Sequence, residues 1–470
     1  MNFNLKVKLP NKYEHMENIE KQRYERPIIK KLETGMPNKF GMRTEYAPMT
    51  HIDGIAVKEL ISQYGSPLFV LSEKTMRNTL KSAKQAFTTR YPKVQFAWSY
   101  KTNYLNAVCN VFHQEGSWAE VVSGFEYQKA LSNNVPGNKI IFNGPDKSDE
   151  DLKKAISNDS FIHMDHLEEM YSVISIAKEL NKKPKVAIRV NMDTGIYPMW
   201  DRFGFNYENG QAWDAINKIM LSEYLELVGL HTHIGTFMLS ANAYAVAAYK
   251  LADLAVNIKK KYDYHIKYID MGGGFASKNT LKGSFLPGTD ISPTFNDFAE
   301  AITSSLINSE IDPHHLPTLI LETGRALIDE SGFLLGSVIA NKRLSSGKRA
   351  TIIDIGVNIM FTSFWYEHKL TPAQEFTHYT EDTIVYGPLC MNIDVIRENV
   401  NLPLLNKGDH IVLHYVGAYN MTQWMQFITL RPKVVMIDMN GKPHIIRDNE
   451  TNQNVVMLEK TPDYLKKFEL

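Results

Sequence analysis

The chain has 470 residues, 44% hydrophobic and 22% charged, with 27 glycines and 20 prolines; at about 100–200 residues per domain it should hold two to four domains, and global disorder, collagen and coiled coils are excluded. Lys and Arg total 52, as do Asp and Glu, so no net field draws the molecule to nucleic acid or an anionic membrane. Two cysteines, Cys109 and Cys390, are too few for a disulfide scaffold or a four-thiolate metal site, and no run of about 18 apolar residues could span a membrane.

The opening MNFNLKVKLPNKYEHMENIEK has no apolar segment, so no secretory signal is expected and the expected compartment is the cytoplasm. Residues 1–50 read as a polar extension. GSPLFVLS (65–72) reads as a strand, and EKTMRNTLKSAKQAFTTRY (73–91) has helical spacing ending before Pro92. Strands then follow at VQFAWSY (94–100), WAEVVS (118–123), KIIFNG (139–144), SFIHMD (160–165) and KVAIRVN (185–191). Others lie at LVGLHTHIG (227–235), YIDMGGG (268–274) and TLILETG (318–324). Helical stretches such as 166–181 and 241–262 separate them. Short apolar strands alternating with amphipathic helices mean parallel β-α units. About eight such units over some 250 residues fit a (β/α)8 TIM barrel better than an open doubly wound sheet. No fixed period recurs, which excludes solenoids. Past residue 330 strands predominate, in GFLLGSVIANKRL, KRATIIDIG, DTIVYGPLC, HIVLHYVG, FITLRPKVVMI and KPHIIR. That half reads as an all-β sandwich or barrel domain.

In a parallel barrel the reactive side chains belong at the carboxyl ends of the strands. Lys101 ends one of them, where desolvation would lower its pKa and make the amine nucleophilic. A lysine that has simply reached the barrel surface would read the same way. His231 and His233 share a strand face, as a metal pair or as structural rings; no acidic or histidine partner lies close in sequence. The triple glycine of DMGGGF could cradle a phosphate or make a tight turn. Glu322 and Arg325 of LETGRAL could be a plain ion pair. Together, a strand-end lysine, a flat histidine, a glycine cradle and a strand-end carboxylate are what pyridoxal phosphate needs: a Schiff-base amine, a phosphate site and a partner for the pyridine nitrogen.

Seven segments, FAWSYKTNYLNAVCNVF, WAEVVSGFE, GLHTHIG, DMGGGF, LETGRALIDESG, GPLCMNID and VGAYNM, stand in the order found in the fold-type III pyridoxal phosphate decarboxylases. The resemblance covers residues 52–427 and is nearest to the diaminopimelate decarboxylases, with the ornithine and arginine enzymes as relatives. It implies an alanine racemase-like barrel over 76–330, a lead-in at 51–75 associated with the β domain, and a C-terminal β domain over 331–470. It implies that Lys101 carries the cofactor, that His233 stacks on its ring and that Glu322 meets the pyridine nitrogen. Gly272, Gly273, Gly274, Gly324, Arg325 and the hydroxyl of Thr236 would surround the phosphate, with Arg189 near the phenolic oxygen. Glu120 stands where the family usually has aspartate, and Thr323 where it usually has proline. Cys390 and Tyr419 would complete the site, the cysteine coming from the partner of a homodimer.

The substrate end departs from the family. Met391 follows Cys390 in place of a glutamate, and Thr362 takes the place of the arginine that grips a distal carboxylate. Glu367 falls near the aspartate that ornithine decarboxylases use for a distal amine, so Glu367, Met391 and Arg325 are the expected substrate contacts. The expected activity is α-decarboxylation of a diamino acid or an amino-acid conjugate. The alternatives are diaminopimelate itself with Arg202 on its carboxylate, an amino-acid racemase, and a non-catalytic regulator.

Overall fold

The computed structural model describes residues 47–376 and 379–466; the 1–50 extension lies outside the described residues up to residue 46. Strand β1 (Leu68–Ser72) forms where the sequence predicts one, but it does not enter the barrel. All five of its residues are buried, and an apolar run of that length suits a barrel or a sheet core equally well. Ser72, its last residue, caps helix α1 (Glu73–Thr88) by accepting from Thr75 N, so strand end and helix start are one device.

The barrel strands are β2 (Val94–Ser99), β3 (Trp118–Val121), β4 (Ile140–Phe142), β5 (Phe161–Met164), β6 (Lys185–Asn191), β7 (Glu226–His231), β8 (Tyr268–Asp270) and β9 (Thr318–Leu321). Neighbours run β7-β8-β9-β2-β3-β4-β5-β6, and β6 pairs in parallel with β7 to close the ring. Between them lie α2 (Asn106–Gln114), α3 (Gly124–Ser132), α4 (Asp149–Ser157), α5 (Leu167–Leu180), α6 (Gln211–Met220), α7 (Ala241–Tyr262) and α8 (Phe295–Ile307). Only one helical turn, Arg325–Ile328, follows β9. Helix α1 fills the gap by packing on α8 and α2 through Met76, Leu80, Ala83 and Phe87.

Side chains alternate along a strand, so one set points into the barrel. Ala97, Ile141, Ala187, Tyr268 and Ile320 form a separate apolar core there. Trp118 stacks on Phe161 with centroids 5.4 Å apart, and Phe161 meets Tyr268 edge-on at 5.5 Å. One step further toward the carboxyl ends, the same parity gives Glu120, Asn143, His163, Arg189, His231, Asp270 and Glu322. An apolar floor thus supports a polar layer.

The second sheet uses β10 (Gly332–Arg343), β11 (Arg349–Ile353), β12 (Leu370–Pro372), β13 (Glu381–Tyr386), β14 (Val395–Leu402), β15 (His410–His414), β16 (Lys433–Ile437) and β17 (Pro443–Arg447). Its order is β14-β13-β11-β10-β1-β16-β17, with β15 bridging β10 and β12. Sequence patterning missed β14, whose Arg397, Glu398 and Asn399 interrupt the apolar alternation. Barrel and sheet are tied by buried Asp329, which accepts from Ser277 Oγ (2.5 Å), Asn279 Nδ2 (3.0 Å) and Ala418 N (3.1 Å).

Gly229 pairs with Tyr268, and a Cβ there would lie 2.2 Å from the tyrosine ring. Gly229→Ala should therefore displace Tyr268 and cost about 1–3 kcal/mol by overpacking. Urea unfolding of the two proteins measures it, and an unchanged midpoint would refute the packing argument.

Candidate active site

After β2 the chain makes a single turn, Tyr100–Thr102, which carries Lys101 into the mouth of the barrel. The turn is held by the β domain: Tyr419 N donates to Thr102 O (2.8 Å) and Thr422 Oγ1 to Lys101 O (2.9 Å). The Lys101 amine donates to both oxygens of Glu120 at 2.9 Å, while 36% of the side chain stays accessible from the mouth. Burial by itself lowers the pKa of this amine, but Glu120, then Glu322 and Tyr419, outweigh it and hold the group above the ordinary lysine value. The expected lowered pKa is therefore corrected: the fully buried Glu120 carboxylate keeps the resting amine charged.

Asn143 links the acids, its Nδ2 donating to Glu120 (3.0 Å) and to Glu322 (2.6 Å) from across the barrel. His231 Nε2 lies 3.4 Å from Glu322 Oε2, and its ring sits 4.7 Å from that of His163, which bonds Tyr268 (2.8 Å). Burial holds both imidazoles well below the usual histidine range, hence neutral. Donor atoms of His163, His231 and Glu322 come within 4.8 Å of one another; Tyr268 bonds His163 and Asn143 bonds Glu322, while both His231 nitrogens are buried without a hydrogen bond among the described residues. His233 goes elsewhere: its Nδ1 accepts from Gly273 N (3.1 Å), and its ring lies 5.6 Å from that of Trp200. The two histidines share a strand end without forming a ligand pair.

The glycine run serves close packing first. A Cβ on Gly273 would lie 2.4 Å from Glu322 O, and one on Gly274 2.1 Å from Gly235 O. Gly272 N is taken by Asp270 Oδ1 (2.8 Å) and Gly273 N by His233, which leaves Gly274 N unclaimed among the described residues. Nearby, Gly324 packs so tightly on Thr102 that a Cβ would lie 2.0 Å from its hydroxyl. Arg325, 7% exposed, sits among Tyr419 (4.6 Å), Tyr366 (4.9 Å) and Phe237 (5.7 Å). Its Nη1 reaches no acceptor closer than Asp329, at 3.7 Å. Thr102 Oγ1 and Thr323 Oγ1 are likewise buried without partners. Buried donors left unpaired cost about 1–3 kcal/mol each, and a cluster of them beside a glycine edge fits an anion such as a phosphate.

Arg189 contacts His233 O (3.5 Å) and Asp165 (3.9 Å) and lies over Phe203 (4.4 Å). Thr236 is exposed at the rim. Other expected residues lie apart from this cluster. Cys390 is exposed, and Met391 packs half-buried on the core. Tyr366 and His368 take the buried positions, so alternation turns Glu367 outward on its own chain, 3.7 Å from Arg397. Thr362 is buried, its hydroxyl bonded to Asn420 and His368 at 2.8 Å each. Arg202 is exposed over Phe203 at 4.9 Å. Sequence reasoning passed over Asn143, His163 and Asp270; the signal available was their parity with the apolar floor.

Glu120→Gln should lower the Lys101 pKa by at least about one unit, because desolvation is then opposed by fewer charges. The pH dependence of reductive methylation of Lys101 in cofactor-free protein measures it, and an unmoved titration would contradict the pairing.

Residues 76–329 match the family model described as pyridoxal-dependent decarboxylase, pyridoxal binding domain. The diaminopimelate decarboxylase of Methanocaldococcus jannaschii is 30% identical over 432 residues, spanning 88% of this chain and 95% of that protein. That of Bacillus subtilis is 27% identical over 423 residues, 87% of this chain and 94% of the relative. The crystal structure of diaminopimelate decarboxylase from M. jannaschii, at 29% identity, superposes with a TM-score of 0.81 over 88% of this chain and 96% of its own. A lysine/ornithine decarboxylase from Vibrio vulnificus (21% identity, TM-score 0.70, 81% of this chain and 97% of its own) shares the fold. Matched over more than half of its length by that family model and 30% identical to a relative it covers almost end to end, the chain belongs to the pyridoxal-dependent decarboxylases and is a pyridoxal phosphate-dependent carboxy-lyase.

Proposed function

We propose that this enzyme decarboxylates, at Cα, an amino acid whose far end carries a second amine, and that two copies of the chain share their active sites. One observation carries the substrate choice: the position where the family places a carboxylate-binding arginine is Thr362, buried and committed to Asn420 and His368. The guanidinium groups beside the site are also committed in this reading, Arg189 to Asp165 and His233 O, and Arg325, whose Nη1 has no acceptor of its own, to the cofactor phosphate. A distal carboxylate would therefore enter without its charge-assisted partner, whereas a distal amine needs none of these cations. Diaminopimelate is the second reading, favoured by the names of the relatives; it requires a cation from elsewhere, and Arg202 lies exposed on Phe203.

In the reading that fits the geometry, Lys101 holds the cofactor, Arg325, Gly274 N and the hydroxyls of Thr102 and Thr323 hold its phosphate, and His233 lies against its ring. Bound pyridoxal phosphate supplies an electron sink for the pair left on Cα when carbon dioxide departs. Glu322 keeps the ring nitrogen protonated, its own position fixed by Asn143 and His231. Glu120 holds the Lys101 amine in place between turnovers. Cys390 returns a proton to Cα. Its exposure on its own chain supports delivery from a second copy, because a thiol that must meet Cα needs a neighbour to bury it.

With ornithine or lysine as substrate, kcat/KM should exceed that for meso-diaminopimelate by at least about tenfold, since one missing charge-assisted contact is worth roughly 1.5–3 kcal/mol. Efficient diaminopimelate turnover would defeat the substrate assignment. For the shared site, Lys101→Ala and Cys390→Ala subunits, each inactive, should recover part of the activity when mixed, because one hybrid site is intact. No recovery after proven subunit exchange would mean that each chain is self-sufficient.

A further inference from the structure

Asp270 ends β8 with its carboxyl enclosed in the barrel, and the mechanism above gives it no task. It is completely buried, and its Oδ1 accepts from Gly272 N at 2.8 Å. Its Oδ2 is buried with no donor among the described residues. The register puts Asp270 beside Ile320 of β9, so the inward position one step further along β9 belongs to Glu322. The strands are locked there by Met271 N to Ile320 O (3.0 Å) and Glu322 N to Gly272 O (2.8 Å). Two carboxyl groups therefore meet inside the barrel; among the described residues no cation bonds Asp270, and Lys101 and Arg189 reach Glu322 only through space.

The groups around the pair can be taken strand by strand. From its own strand comes the Tyr268 phenol, bonded to His163 of β5. From β7 comes His231, neutral and facing Glu322. From β3 comes Glu120, a further acid, whose charge is matched by Lys101. From β4 comes Asn143, a neutral donor already bonded to Glu322. From β6 comes Arg189, which faces Asp165. Two unpaired carboxylates in contact in so dry a place would cost far more than one shared proton.

We propose that Asp270 is held as the neutral acid and donates its proton from Oδ2 to Glu322, so that the pair carries a single negative charge. Burial, followed by the nearby Glu322 charge, drives the Asp270 carboxyl well above the usual range, in agreement. Asp270 is thus a positioning residue. It fixes the Glu322 carboxylate and leaves on it one charge, to be matched by one proton on a ring nitrogen. That last step rests on the proposed placement of the cofactor; the proton on Asp270 does not.

The test uses cofactor-free protein first. A group whose folded pKa is raised above its unfolded value, about 3.9 for aspartate, releases its proton on unfolding at any pH between the two. Its contribution to stability is complete below the unfolded value and is lost as pH rises. Urea unfolding followed from about pH 5 to about pH 7 should show wild type losing stability more steeply than Asp270→Asn, by about one proton. The asparagine keeps the Gly272 bond and donates to Glu322 as the neutral acid does. Should Asp270→Asn fail to fold, Asp270→Ser removes the same titrating carboxyl and should flatten the same slope. Slopes equal to wild type in the variants that fold overturn the proposal.

A second arm uses pyridoxine 5′-phosphate, which has the ring nitrogen and phosphate but no aldehyde. Asp270→Asn should bind it within about threefold of wild type, whereas Glu322→Gln should weaken it about tenfold or more, the loss of one charge-assisted contact. An Asp270→Asn loss as large as that of Glu322→Gln would mean that Asp270 acts as an anion, against the proposal. Absence of binding to wild type would overturn the cofactor placement instead, with the proton decided by the slopes.

Discussion

The barrel mouth depends on Asn143, whose side-chain amide ties together two carboxylates that would otherwise repel. Glu120 and Glu322 flank β2, on the strands either side of it, and the Asn143 nitrogen donates to both. The Lys101 amine closes the line by bonding both oxygens of Glu120. Taking ionised groups out of water costs several kcal/mol each, and only close partners offset it. An aspartate at position 143 would add a third charge, and an alanine would leave both acids short of a donor. A short neutral donor at the end of β4 lets the mouth be acidic at all.

That polar layer is usable because the layer beneath it is dry and rigid. Trp118, Phe161 and Tyr268 interlock under the charged ring, and the Tyr268 hydroxyl rises to meet His163. The stack then runs through His163 and His231 to Glu322, so the aromatic floor helps set the position of the Glu322 carboxylate. The β sheet contributes equally. It grips the Lys101 turn through Tyr419 and Thr422 and supplies the Tyr366 and Tyr419 rings around Arg325. The two halves jointly make one site, as the buried Asp329 bonds at their seam require.

Much of this is legible in sequence because a parallel barrel has a simple grammar. Apolar strands announce themselves, and the residue where each turns polar marks the catalytic rim; Lys101, Glu120, Arg189, His231 and Glu322 all lie there. What sequence hides is what depends on neighbours in space. The LFVLS strand is apolar enough for the barrel by pattern alone; only the family resemblance assigns it to the β domain, where β10 and β16 pair with it. Lys101 looks desolvated until Glu120 is seen beside it. That Tyr366 and His368 take the inward positions and turn Glu367 toward Arg397 on its own chain is equally invisible in the sequence. The glycine run reads as an open cradle, but Asp270 and His233 already claim two of its amides.

The unpaired atoms at the mouth give the site its thermodynamic character. Thr102 Oγ1, Thr323 Oγ1 and Arg325 Nη1 are buried without acceptors in one small region, and each such group costs about 1–3 kcal/mol. A chain selected for stability alone would fill that space with apolar side chains of the same shape. Retaining the donors makes sense only if an anion repays them, and a ligand that binds only the folded state stabilises it by RT ln(1 + [L]/Kd). These atoms lie close to the seam between the two halves, where Gly324 packs on Thr102 and Tyr419 N bonds Thr102 O. An anion bound there satisfies donors from β9 and from the turn after β2, beside a ring that the sheet supplies. The unpaired donors all lie on barrel segments, on the turn after β2 and just past β9, and the sheet adds the Tyr366 and Tyr419 rings beside Arg325, so a ligand that satisfied those donors would be enclosed by both halves.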